Sequence, residues 1–186
     1  MKVLAVMASP RIKGNSDILL DEAIKGAQSA GAVVEKIVLD KLKITPCKEL
    51  YTCLKDGTCP LRDDMTALYD TILAADAIII ATPIFFYTVS AQLMAFISRC
   101  QAFWSRKYVL KNLDIPVKRG GFICVGATKG IRLFEGPKLT MKYLFQAINA
   151  EYKEELLIRG VDKKGEINDH PEYLTAAYEL GKKLVS

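Results

Sequence analysis

The chain lacks any long apolar run. Its first apolar stretch, Val3 to Ala8, passes directly into Ser9-Pro10-Arg11-Ile12-Lys13-Gly14, which is too short and wrongly flanked for a secretory leader. The next, Ile78 to Tyr87, contains Pro83 and falls well short of the roughly 20 residues that a membrane helix needs. These absences argue against export and membrane insertion, so the expectation is a cytoplasmic protein with no membrane partner. Clustered basic charge is missing too. The 26 lysines and arginines stand against 21 acidic residues, a net charge of +5, but they are scattered and form no basic face interleaved with aromatics. No nucleic-acid partner is expected.

Histidine is nearly absent as well. His170 is alone, and His170-Pro171-Glu172 reads as a helix entry with proline at the first position. Five cysteines, an odd number, without an export signal argue against a disulfide framework. Cys100 and Cys124 fall on apolar faces and read as core. Repeats and low-complexity tracts are also lacking. What is present is ordinary for a soluble globular protein: 51% hydrophobic and 25% charged residues over 186 positions, most simply a single domain spanning 1–186.

Short apolar strands alternate with longer helical patterns. The opening run is a strand, and Asp17 to Ala30 carries Ile18, Leu19, Ala23 and Ala27 near one face, with Gly31 placed to end the helix. Val33 to Leu39 predicts a second strand. Residues 41–64 lack periodicity and hold Cys47, Cys53 and Cys59, an insertion or long loop. Met65 to Ala74 predicts a helix, Asp76 to Ala81 a third strand, and about Val89 to Ser105 another helix. Gly121 to Gly126 follows as a fourth strand, Pro137 to Ile148 as a helix, Glu155 to Arg159 as a fifth strand, and Pro171 opens the last helix. Near-continuous apolar strands separated by helices mean a parallel sheet covered on both faces. The fold class is therefore α/β: a flavodoxin-like, three-layer, doubly wound sheet of five parallel strands in the order 2-1-3-4-5. Ligands of such sheets sit beyond the strand carboxyl ends, where the order switches between strands one and three.

Two loops lie at that switch. The first, Ser9-Pro10-Arg11-Ile12-Lys13-Gly14-Asn15-Ser16, is neither the Walker glycine-lysine pattern nor Gly-x-Gly-x-x-Gly, which removes the usual support for ATP and classical dinucleotide readings. It still supplies hydroxyls, an amide, cations and free backbone N–H groups at a helix start, and so suits a phosphate. Ser9, Arg11, Asn15 and Ser16 are the candidate phosphate ligands; capping of the helix by Asn15 or Ser16 is compatible with that role. The second loop, Thr82-Pro83-Ile84-Phe85-Phe86-Tyr87-Thr88-Val89-Ser90, puts an apolar wall at the mouth of the sheet, as a flat isoalloxazine ring requires. Pro83, Ile84, Phe85, Phe86 and Tyr87 are candidates for that wall, and Ser90 either caps the next helix or reaches the ring. A third loop, Gly126 to Arg132, offers Ala127 and Thr128 at the ring edge and Lys129 or Arg132 to a second nucleotide. Together the loops point to FMN.

The combined pattern of Ser-Pro-Arg-x-x-Gly-Asn-Ser, Asp63-Asp64-Met65 and Ala81-Thr82-Pro83-Ile84-Phe85-Phe86-Tyr87 resembles the NADPH-dependent FMN reductase and iron–sulfur flavoprotein superfamily. The motifs cover residues 1 to about 110, and the remainder matches in architecture. The resemblance implies noncovalent FMN, with Ser9, Arg11, Asn15 and Ser16 on its phosphate and Pro83 to Phe86 facing the ring. It also implies homodimers or homotetramers, and Trp104, at the end of an apolar helix face, suits a subunit contact. In the iron–sulfur branch, four cysteines just before the Asp-Asp-Met segment ligate a [4Fe–4S] cluster. Cys47, Cys53 and Cys59 match three of these positions, and Leu50 occupies the second. A cubane cluster normally takes four thiolates, so a degenerate or plain cysteine loop is expected over a three-thiolate metal site. Zinc has no fourth ligand here either.

The resulting expectation is an FMN-dependent oxidoreductase. NAD(P)H would reduce the flavin, which would pass electrons to a quinone, free flavin, metal ion or redox protein. The cofactor carries that chemistry, so no catalytic side chain is expected. Two alternatives stand beside it: an electron carrier reduced by a ferredoxin-type partner, and a cofactor-free interaction module of the same fold.

Overall fold

The computed structural model describes residues 1–112 and 115–186. Five parallel strands, β1 (Lys2–Met7), β2 (Val33–Val38), β3 (Ala77–Pro83), β4 (Lys118–Gly126) and β5 (Ala150–Arg159), form one sheet in the order β2-β1-β3-β4-β5. The central strands are apolar on both sides because both faces are covered. In β1, Leu4 and Val6 point into one core cluster while Val3, Ala5 and Met7 point into the other. Helices α1 (Asn15–Ser29) and α7 (Pro171–Val185) cover the second face, supplying Leu19, Leu20, Ala23, Ala177, Leu180 and Leu184. The first face is covered by α3 (Met65–Ala74), α4 (Ala91–Arg99), α5 (Gln101–Trp104) and α6 (Glu135–Ala147), and a short turn, α2 (Cys53–Asp56), lies within the cysteine segment. No helix of the described residues is long and apolar enough to cross a membrane.

The differences from the sequence reading sit mostly at the edges. β5 begins at Ala150 rather than Glu155, since as an edge strand it alternates half-buried and exposed positions through Glu151, Lys153 and Glu155. A register shift beside Gly120 and Gly121 adds a residue on its side, which further blurs the period. β4 likewise starts three residues early, at Lys118, whose buried ammonium donates to the carbonyls of Pro116 and Leu73. β3 spans Ala77–Pro83 rather than Asp76 to Ala81. The helix expected from Val89 to Ser105 is α4 plus α5 and a π-turn over Ser105–Val109. Helix α6 opens at Glu135, two residues before Pro137, and α1 at Asn15, two before Asp17. α3 has the expected bounds, and His170 precedes α7 with Pro171 at its start.

Registers Met7↔Val38, Met7↔Ala81, Pro83↔Val125 and Gly126↔Arg159 bring the carboxyl ends of the strands to one rim. The loops after β1, β3, β4 and β5 therefore converge. The β1/β3 pair is where strand order reverses.

Candidate functional site

A cleft opens at this reversal. It is lined by Ser9, Arg11, Gly14, Asn15 and Ser16 from the first loop, Pro83, Ile84 and Phe85 from the second, and Val125 and Ala127 at the end of β4. Val161, Asp162 and Lys164 after β5 complete it.

Its polar end is short of acceptors. Helix α1 starts behind Gly14, which has no side chain with which to cap the first turn, so helix-start N–H groups remain available to a ligand. The Asp17 carboxylate reaches back to the Lys13 N–H (2.7 Å) and pairs with Lys36 (2.6 Å). It is thereby occupied away from the helix start. Ser9 accepts from the Arg11 N–H at 3.1 Å and keeps its own proton free to donate. Ser16 is 2% exposed, lines the cleft, and has no side-chain partner among the described residues. Hydroxyls and N–H groups left in this state need an incoming anion or water.

The opposite wall is apolar: Pro83, Ile84, Phe85, Val125, Ala127 and Val161. Beyond it, Phe85 and Thr88 exchange two backbone hydrogen bonds (3.0 and 2.9 Å) around Phe86 and Tyr87, whose φ values are +48° and +59°. Two positive φ angles in a two-residue reversal make a type I′ turn, which normally uses Asn-Gly. Aromatic residues there store backbone strain. Phe86 is fully exposed, whereas Tyr87 lies across the loop that follows β4. A Cβ at Gly136 would meet the Tyr87 carbonyl at 2.4 Å, and one at Gly130 would meet its hydroxyl at 2.6 Å. Gly136 must be glycine for the aromatic turn to rest where it does, while a side chain at Gly130 would displace the Tyr87 hydroxyl.

Of the expected site residues, Ser9, Arg11, Asn15, Ser16, Pro83, Ile84, Phe85 and Ala127 line this one cleft; Phe86, Tyr87, Ser90 and Thr128 do not. Ser90 is wholly buried, donating to the Ala8 carbonyl and accepting the Leu93 N–H as the α4 cap. That makes it a brace between β1 and α4. The sequence reading missed Val161, Asp162 and Lys164. One signal was available: in a parallel sheet the loop after β5 must reach the same rim.

The cysteine segment is held rather than open. Buried Arg99 donates to the carbonyls of Thr45 (2.9 Å) and Leu61 (3.3 Å) and pairs with Asp63 at 2.7 Å. Desolvation pushes the Asp63 carboxyl up, but hydrogen bonds from Arg99 and the Thr45 N–H outweigh it and hold it below its ordinary value. Cys47 N–H donates to Ser98, Ser105 donates to the Cys53 carbonyl, and Arg106 donates to that of Gly57. Burial raises the Cys53 thiol, and the nearby Cys47 and Cys59 add to the shift. Leu50 points outward, 54% exposed. Three thiols and an outward leucine do not fit a four-thiolate cluster. Among the described residues no group of three or more His, Cys, Asp or Glu is placed to hold a metal ion.

The family model described as NADPH-dependent FMN reductase matches residues 1–133. The chain belongs to the NADPH-dependent FMN reductase family. An iron–sulfur flavoprotein of Archaeoglobus fulgidus is 38% identical over 130 residues, 70% of this chain but 56% of that protein, so the chain spans little more than half of that relative's length. A Bacillus subtilis protein, provisionally named NAD(P)H-dependent FMN-containing oxidoreductase YwqN, is 28% identical over 98% of both chains. The solved NAD(P)H:quinone oxidoreductase of Methanothermobacter marburgensis superposes with a TM-score of 0.79, covering 100% of this chain and 96% of that one. At 20% identity it speaks to the shared fold.

Proposed function

We propose that this FMN reductase family member holds FMN in the β1/β3 cleft and uses it to carry electrons from NAD(P)H to a small-molecule or redox-protein acceptor. One observation carries the reading: a single cleft joins anion donors at one end, the Ser9 and Ser16 hydroxyls and the α1 start among them unspent, to an apolar wall at the other. Ser9, Ser16, Arg11, Asn15 and the first-turn N–H groups of α1 would hold the phosphate. Pro83, Ile84, Phe85 and Ala127, with Val125 and Val161, would flank the ring, and Phe86, Tyr87 and Thr128 would border the mouth. When bound, FMN supplies the hydride and electron-transfer chemistry. The chain's own work is to fix the phosphate by charge-assisted hydrogen bonds and to keep water from one face of the ring.

The acceptors consistent with this site are a quinone, free flavin, a metal ion or a redox protein. The alternative of an iron–sulfur electron carrier is not favoured, because Leu50 is turned outward and the donor set is incomplete. A homodimer or homotetramer is part of the proposal. Exposed Trp104 and Tyr108, with ring centroids 5.8 Å apart, support a subunit contact there.

The deciding experiment is the visible spectrum of the anaerobically purified protein before and after NADPH. Two flavin bands that bleach on addition are expected. A colourless protein that takes up no added FMN overturns the reading, and a broad iron-dependent shoulder moves it to the electron-carrier branch.

A further inference from the structure

The loop after β5 is a strap across the phosphate loop. Arg11 donates through Nη1 to the Asp162 carbonyl (3.2 Å), and Asn15 donates through Nδ2 to that of Lys163 (3.0 Å). The Asn15 Oδ1 accepts the Ile167 N–H at 3.2 Å. The strap is braced internally, since the Glu166 carboxylate accepts the N–H groups of Asp162 (2.9 Å) and Lys163 (2.7 Å). Two side chains expected on the ligand are thus already engaged with a segment about 150 residues away.

This fastening decides which lysine meets the cleft. Lys163 has its N–H and carbonyl both bound, and it does not line the cleft; Lys164 does, on the same lining as Ser9, Gly14 and Ser16. Lys164 makes no ion pair or side-chain hydrogen bond among the described residues. Asp162 is the one carboxylate on the lining, against two cations, Arg11 and Lys164. An unpaired lysine on one lining with unspent hydroxyls is an arrangement that can recognise a phosphate dianion.

We propose that Lys164, presented by the strap that Arg11 and Asn15 fasten, is a direct ligand of the flavin phosphate and makes the site selective for FMN over riboflavin. The proposal rests on the reading of the cleft as the FMN site. With Lys164 on the strap after β5 and Ser9 and Ser16 at the α1 start, the anion is held by two parts of the chain far apart in sequence.

The test is titration of the apoprotein with FMN and, separately, with riboflavin, followed by flavin fluorescence. Lys164→Ala should weaken FMN by roughly tenfold or more, as expected for loss of a charged hydrogen bond, and leave riboflavin unchanged. Lys164→Arg should restore most of the preference, and Lys163→Ala should alter neither affinity. Equal weakening of both flavins by Lys164→Ala would make the residue structural and overturn the proposal, as would no change in either. Wild-type protein that binds neither flavin overturns the reading of the site itself.

Discussion

Two irregular segments of this molecule are built on opposite principles. Residues 8–14 end at a helix start with no side-chain cap, and Ser16 just beyond keeps an unshared hydroxyl on the cleft. Residues 42–64 are longer and carry more reactive side chains, yet their carbonyls and N–H groups are claimed by Arg99, Asp63, Ser98, Ser105 and Arg106. One leftover beside that second region is the sealed Nε of Arg99, at the end of α4. The receiving loop also uses most of its backbone donors and ties Arg11 and Asn15 to the strap, but it leaves the Ser9 and Ser16 hydroxyls and the α1 start unspent, whereas the structural loop is fastened along its length. By that criterion the cysteines, which look like the more chemical feature in the sequence, belong to the held segment.

The largest effect should come from breaking the held segment. Asp63→Asn removes the carboxylate from a guanidinium that is buried. It should cost about 3 kcal/mol or more in urea unfolding while FMN affinity in the folded protein stays near wild type. The same pair gives a pH signature. Because the folded Asp63 pKa is depressed, its contribution is present above the unfolded carboxyl value, about 3.9. It is lost as pH falls from there through the lower folded value, so wild-type stability should decline over that window where an unshifted carboxyl would add no slope, and Asp63→Asn should flatten that limb.

The receiving loop should behave in the opposite way. Ser16→Ala removes a hydroxyl that bonds nothing in the chain, so stability should stay within about 0.5 kcal/mol. Its FMN affinity should fall by roughly tenfold, with riboflavin spared. A loss of stability without a change in affinity would erase the contrast between the two segments. The smallest effect is expected at the strained turn. Phe86 is fully exposed at φ +48°, so Phe86→Asn gives up no packing and should raise thermal stability by about 1 kcal/mol.

Parts of this architecture were legible because their cause is local. The buried runs Val3 to Ala8 and Ile78 to Ala81 read as central strands, and the small, basic loop after the first one is a loop that lines the cleft. The edge strand was not fully legible, since the charged positions of Ala150 to Glu155 mask its period. The turn conformation at Phe86-Tyr87 was hidden because the usual Asn-Gly signal is absent there. Asp162 and Lys164 reach the site through contacts spanning about 150 residues, which no local pattern encodes. Ser90 was ambiguous between ligand and cap, and burial places it as the cap.

Gly130 and Gly136 leave room for the Tyr87 hydroxyl and carbonyl and for nothing larger. The aromatic turn after β3 is consequently coupled to the loop after β4 and to the first turn of α6. A chimera that exchanges one of them with a relative must exchange the other, and sequence libraries that diversify the mouth of the cleft should vary the two loops together with both glycines fixed.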